Sequence, residues 1–193
     1  MGIISRFPAG ATKPYIEEIY NSDGQLISAN MYGYDAIRDS AFYDCINLAL
    51  TSLPNGITSI GNGAFAGCSS LALTSLPSGI ISIGIGAFES CTSLALTSLP
   101  NGITSIGDSA FYYCTSLALT SLPSGITSIG NKAFYNCNNL VSLTFEGTPE
   151  RIDSTTFIGC NNLTTINVPW AEGAVANAPW GAPNATINYG HIS

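Results

Sequence analysis

Apolar and polar positions along this chain recur with a period of 23 residues. Phe42, Phe65, Phe88, Phe111, Phe134 and Phe157 mark it, and Cys45, Cys68, Cys91, Cys114, Cys137 and Cys160 follow each Phe by three. Ile37, Ile60, Ile83, Ile106, Ile129 and Ile152 keep the same interval, as do the leucines from Leu48 to Leu163. A fixed period of this length describes a stack of similar coils, each buried against its neighbours, rather than one central core.

Within one coil the order is Leu71-Ala-Leu-Thr-Ser-Leu-Pro77, then Ser-Gly-Ile-Ile-Ser-Ile-Gly84, then a segment around Ala87, Phe88 and Cys91. Runs this short, punctuated by Pro and Gly, predict strands and turns. Pro54, Pro77, Pro100 and Pro123 lack an amide donor, so each should end its strand. The spacing Ala-Phe-x-x-Cys-x-x-Leu predicts one short helical or 3₁₀ turn per coil. Stacking in register would place like side chains about 4.8 Å apart, in ladders of Phe, Cys, Ile and Leu along an array roughly 30 Å long.

The phrase Gly61-Asn-Gly-Ala-Phe65-Ala-Gly-Cys68-Ser-Ser-Leu71, preceded by Ile-Thr-Ser-Ile, resembles the BspA-like leucine-rich repeat over about residues 35 to 169. The resemblance implies a curved solenoid with a sheet on its concave side, and roles in adhesion or protein binding at bacterial surfaces. It carries no catalytic residues. The chain departs from that pattern in its centre. Leu140, Leu143 and Phe145 keep apolar residues three and five positions after the first Leu, whereas four coils place Thr51, Thr74, Thr97 and Thr120 at the earlier site, with Leu50, Leu73, Leu96 and Leu119 one residue before it. A one-residue shift turns a side chain to the other face of a sheet, so a bulge or irregular segment is expected there.

The organisation that follows is a segment with a capping β-hairpin over 1–33, a solenoid over 34–169 and a cap over 170–193. Tyr15–Tyr20, the turn Asn21-Ser-Asp-Gly24 and Gln25–Met31 have the pattern of the hairpin. Trp170 and Trp180 are expected to close the last coil. The tail Pro169-Trp-Ala-Glu-Gly-Ala-Val-Ala-Asn-Ala-Pro-Trp-Gly181 and the stretch Ile37-Arg-Asp-Ser-Ala-Phe42 also resemble proteins encoded by phages and prophages of gut bacteria, which implies a virion-associated or phage-delivered surface protein.

Composition narrows the function. Charged residues are only 9% of the 193, and between Cys45 and Thr148 they are Glu89, Asp108, Lys132 and Glu146 alone. With five Lys and Arg in total and a net charge of -7, the chain has no basic patch for nucleic acid. No run of 18 apolar residues is present to span a membrane. The start, Met1-Gly-Ile-Ile-Ser-Arg-Phe-Pro8, does not have the pattern of a secretory signal, and Arg6 breaks the myristoylation pattern.

Candidate chemistry is sparse. The cysteines form no Cys-x-x-Cys pair and have no nearby His, so all six are expected to be buried free thiols. His191 stands alone near the end, with no rigid partner for nucleophilic catalysis. Asp35, Asp39 and Asp44 cluster in a way compatible with a weak calcium site or with a solvated face, and Asn62-Gly63 and Gly84-x-Gly86 are turn residues. No cofactor is implied. What remains is a non-enzymatic binding module, at the cell surface or on a virion, for a protein or surface glycan. The alternative is a passive scaffold or spacer. Tyr43, Tyr112, Tyr113 and Tyr135, which follow the repeat Phe, form the candidate binding surface, either as interface anchors or as mere cover for the Phe ladder.

Overall fold

The computed structural model describes residues 15–191, and residues 1–14 of the expected 1–33 segment lie outside them. The chain winds as a β-solenoid of about 7 turns. It begins with an antiparallel hairpin, β1 (Tyr15–Tyr20) and β2 (Leu26–Tyr32). Asn21 makes the turn: its Oδ1 accepts the amides of Asp23 at 3.0 Å and Gln25 at 2.9 Å, so one side chain replaces a turn of backbone bonding. Ala29 and Met31 on β2 face inward onto the first coil, whose Ala49 N–H bonds the Ile27 carbonyl at 2.9 Å.

The solenoid itself carries two parallel sheets. The six-stranded one stacks β3 (Ala36–Ile37), β4 (Ser59–Ile60), β5 (Ser82–Ile83), β6 (Ser105–Ile106), β8 (Ser128–Ile129) and β10 (Arg151–Ile152). Each Ile pairs with the Ile of the next coil and is buried, while the residue before it stays at the surface. The four-stranded one joins β7 (Ser121–Leu122), β9 (Ser142–Phe145), β11 (Thr165–Asn167) and β12 (Thr186–Asn188). It serves only the later coils. In the coils of Leu48, Leu71 and Leu94 the corresponding Leu-Ala-Leu-Thr-Ser-Leu segment is not strand, and there Leu50, Leu73 and Leu96 turn inward and Thr51, Thr74 and Thr97 outward. Further along, Leu143 and Ile166 are the buried residues, one position later in their coils, and Leu122 is back in register with Phe145.

The phenylalanines stack as a column. Successive ring centroids lie 5.2 to 5.5 Å apart from Phe42 to Phe157, with planes within 7° of parallel. Trp180 stands 23 residues after Phe157, but its carbonyl accepts the Phe157 N–H at 2.9 Å, the part played in earlier coils by the residue before the next Phe, such as Ala87 for Phe65. Its ring is fully buried and packs with Trp170 and Phe145 instead.

The helical or 3₁₀ turn expected after each Ile is not formed, and no helix occurs among the described residues. Around Phe65, alternate amides point in opposite directions. Ala64, Ala66 and Cys68 bond back three residues at 3.3, 3.1 and 3.0 Å, but Gly63, Phe65 and Gly67 bond the next coil at Ile85, Ala87 and Glu89, at 2.7 to 2.8 Å. A helix needs every amide turned inward and every φ negative. Here half the donors belong to the neighbouring coil, and Gly63 and Gly67 have φ of 57° and 80°. The segment is therefore a run of linked turns whose outward amides hold the stack together.

Candidate functional site

Tyr112 and Tyr135 directly follow the ladder residues Phe111 and Phe134, so the stack that aligns the phenylalanines also aligns them. Their rings lie 4.8 Å apart with planes 15° from parallel. Tyr113 completes the group, 4.8 Å from Tyr112 at 57° and 5.7 Å from Tyr135 at 43°. Its N–H bonds the Tyr135 carbonyl at 2.8 Å, fixing the coils on which the rings sit. Lys132 Nζ lies 5.8 Å from the centre of the Tyr135 ring, within cation–π range. Partial withdrawal from water, then Tyr113, Tyr135 and Glu89, raise the Tyr112 phenol above its ordinary value.

Tyr113 adopts φ +58° and is 40% exposed. The equivalent place in other coils is held by Asp44, Gly67, Ser90, Asn136 and Gly159, all at positive φ. Gly takes that conformation freely and Asn or Asp with little penalty, whereas a bulky side chain costs on the order of 1–2 kcal/mol. The recurrence of Gly and Asx at this spacing was a readable sign of left-handed backbone. Tyr43 is 61% exposed but stands apart, with Ala66 and Glu89 in its place in the intervening coils, so the structure joins three of the four candidate tyrosines and not the fourth.

The cysteines are all free. Five are buried, and each donates its S–H to the Phe carbonyl 26 residues earlier, at 2.9 to 3.1 Å. Burial pushes the Cys68 and Cys160 thiols up to about 12, and holds Cys91, Cys114 and Cys137 well above the ordinary range. Cys45 departs from the expectation for all six: it belongs to the first coil, has no preceding Phe carbonyl to reach, and is only half-buried. Sequence reasoning assigned these thiols to apolar packing and missed the hydrogen bond, since no motif encodes a contact between coils.

Asp39, one of the clustered acids, accepts the Asn62 N–H at 2.7 Å, and Asp108 accepts that of Asn131 at 2.8 Å, so both tie one coil to the next. Asp153 accepts the Thr155 hydroxyl and amide at 2.6 and 2.9 Å, and these bonds, more than Arg151, hold its carboxyl below the usual range. His191 is exposed at the end of the described residues. Among the described residues no group of three or more His, Cys, Asp or Glu could hold a metal ion, and no helix is long and apolar enough to cross a membrane. Two open depressions of about 360 Å³ lie elsewhere, one between Asn30 and Thr51 and one over Ser82, Ser105 and Ser128.

A leucine-rich repeat protein from Bacteroides ovatus is 23% identical, superposes with a TM-score of 0.63 and is covered over 45% of its length by 86% of this chain. The leucine-rich repeat protein of T. pallidum is 26% identical with a TM-score of 0.62, over 93% of this chain and 92% of that one. The pneumococcal vaccine antigen PcpA is 19% identical with a TM-score of 0.55, over 86% of this chain and 46% of that one. This chain thus spans less than half of the B. ovatus protein and of PcpA. No curated protein matches it. The model of the BspA type leucine rich repeat region matches residues 35–169 in 6 copies. By that match, and by the Phe, Cys, Ile and Leu ladders that realise it, the chain belongs to the BspA-type leucine-rich-repeat family.

Proposed function

We propose that this protein is a non-enzymatic recognition module that binds a protein or surface glycan, at a cell surface or on a virion, through the face bearing Tyr112, Tyr113 and Tyr135. The observation that carries the reading is Tyr113. An aromatic side chain occupies a left-handed slot that other coils fill with Gly, Asn, Asp or Ser, and it remains 40% exposed. Backbone strain of this kind persists where the residue serves something other than local stability. Contacts with Tyr112 and Tyr135 offset part of the cost, about 0.5–1.5 kcal/mol per aromatic pair. Clustered tyrosines are the residue type that anchors interfaces. The family resemblance, with its adhesion and protein-binding roles, supports the same reading. Buried thiols held by backbone carbonyls offer no nucleophile, which supports a role without catalysis.

A second reading, a passive scaffold or spacer and possibly a virion component, is favoured by the near-identity of the central coils and their Ser and Thr surfaces, and by the resemblance of the ends to phage-encoded proteins. Glycan arrays and pull-downs from surface-protein extracts separate the two. A module gives saturable binding that Tyr113→Asn removes without lowering the melting temperature, since Asn136 already fills that slot one coil on. A spacer gives no saturable ligand.

A further inference from the structure

We propose that Tyr112 and Tyr135 form an oxidative cross-linking site, where a one-electron oxidant of the peroxidase class, using hydrogen peroxide, joins the two rings by a carbon–carbon bond and staples adjacent coils. The ring centroids are 4.8 Å apart and the planes 15° from parallel, so the two phenol rings are stacked on one another. Both rings are partly exposed, which lets a surface oxidant take their electrons. The coils beneath cannot drift apart, because the Phe111 and Tyr113 amides each bond the next coil at 2.8 Å. This proposal does not depend on the recognition role.

Each phenol gives up one electron and its hydroxyl proton, leaving two phenoxyl radicals. The radicals pair at the ring carbons adjacent to oxygen, forming one carbon–carbon bond. The two ring hydrogens then shift to oxygen and restore both phenols. The electrons and protons removed reduce one hydrogen peroxide to two waters, so the step balances. Holding the two rings stacked within one chain favours this coupling over an encounter between two molecules. The product bridges residues 23 apart and closes a loop that the unfolded chain must also carry.

Lys132 makes the test direct, because trypsin cleaves between the two tyrosines. Fragment 39–132 holds Tyr112, and fragment 133–151 holds Tyr135 as its sole tyrosine. The full chain, dilute, is treated with horseradish peroxidase and limiting hydrogen peroxide. Its monomer fraction is then isolated, denatured, digested and weighed by mass spectrometry. The expected result is a single species joining 39–132 to 133–151, two hydrogens lighter than their sum and carrying the blue fluorescence of dityrosine. Tyr112→Phe and Tyr135→Phe, which keep the ring and the stack, each abolish it, whereas Tyr113→Phe keeps most of it. Separate fragments from the oxidised monomer overturn the proposal, as does joining that survives Tyr112→Phe or disappears with Tyr113→Phe.

Discussion

The Cys91 thiol donates to the Phe65 carbonyl oxygen at 3.0 Å, joining residues 26 apart in the chain and one coil apart in space. The same oxygen accepts the Cys68 N–H at 3.0 Å, so both of its lone pairs are used. Reactivity should follow from this placement. Ellman's reagent on the native protein should modify only Cys45, and that slowly, because burial and the Glu18 and Asp44 carboxylates raise its thiol too. After denaturation all six should react. Two or more fast thiols in the native state would mean that the Phe–Cys ladder is open.

Alkaline stability follows from the same thiols. An unfolded thiol titrates near 9, whereas folded Cys68 and Cys160 hold their protons to about 12. Between those values the unfolded chain binds fewer protons than the folded one, so folding stability is complete below pH 9 and falls as pH rises towards 12. Each buried thiol contributes about 1.4 kcal/mol per pH unit in that window. Thermal melts across it should show a steep loss that becomes shallower by about one thiol's share in Cys114→Ala. An unchanged slope in that variant counts against the ladder as its source.

The Phe column should dominate the energetics of stacking. Phe111 is fully buried and lies 5.5 Å from Phe88 and 5.3 Å from Phe134, so its ring has neighbours on both faces. Phe111→Ala should cost about 3–5 kcal/mol through lost burial and the cavity left behind. Thr97→Ala, at an exposed position of the same coil, should change stability by no more than about 0.5 kcal/mol. Equal denaturation midpoints for the two would contradict the column as the main support.

The period of 23 made most of this architecture readable, because a residue that recurs in register must stack on its own copy. It gave the Phe, Ile and Leu ladders, while the strand-turn-strand pattern of Tyr15–Met31 gave the hairpin and the departure from the family pattern gave the disturbance at Leu50, Leu73 and Leu96. It misled at the Phe–Cys segment. The interval of three from Phe65 to Cys68 is shared by helices and by linked turns, and only the outward bonds of Gly63, Phe65 and Gly67 decide between them. Trp180 was readable as a lid, but its backbone place, that of the residue before a ladder Phe, was not, since β12 pairs with β11 at an interval two residues shorter than the repeat. The tyrosine cluster was legible as a juxtaposition. The left-handed backbone of Tyr113 was signalled only indirectly, by Gly67, Asn136 and Gly159 at the same place in other coils.

The recognition role rests on three rings at one face, so binding by Tyr112→Ala, Tyr113→Ala, Tyr135→Ala combined in one chain tests it most directly. With a ligand taken from the glycan arrays or pull-downs, affinity is measured by titration calorimetry beside the melting temperature. The account predicts affinity reduced by about 100-fold or more, as truncating a cluster of interface anchors does, in a variant that still melts cooperatively because the Phe column is intact. A folded triple variant that binds with unchanged affinity contradicts it.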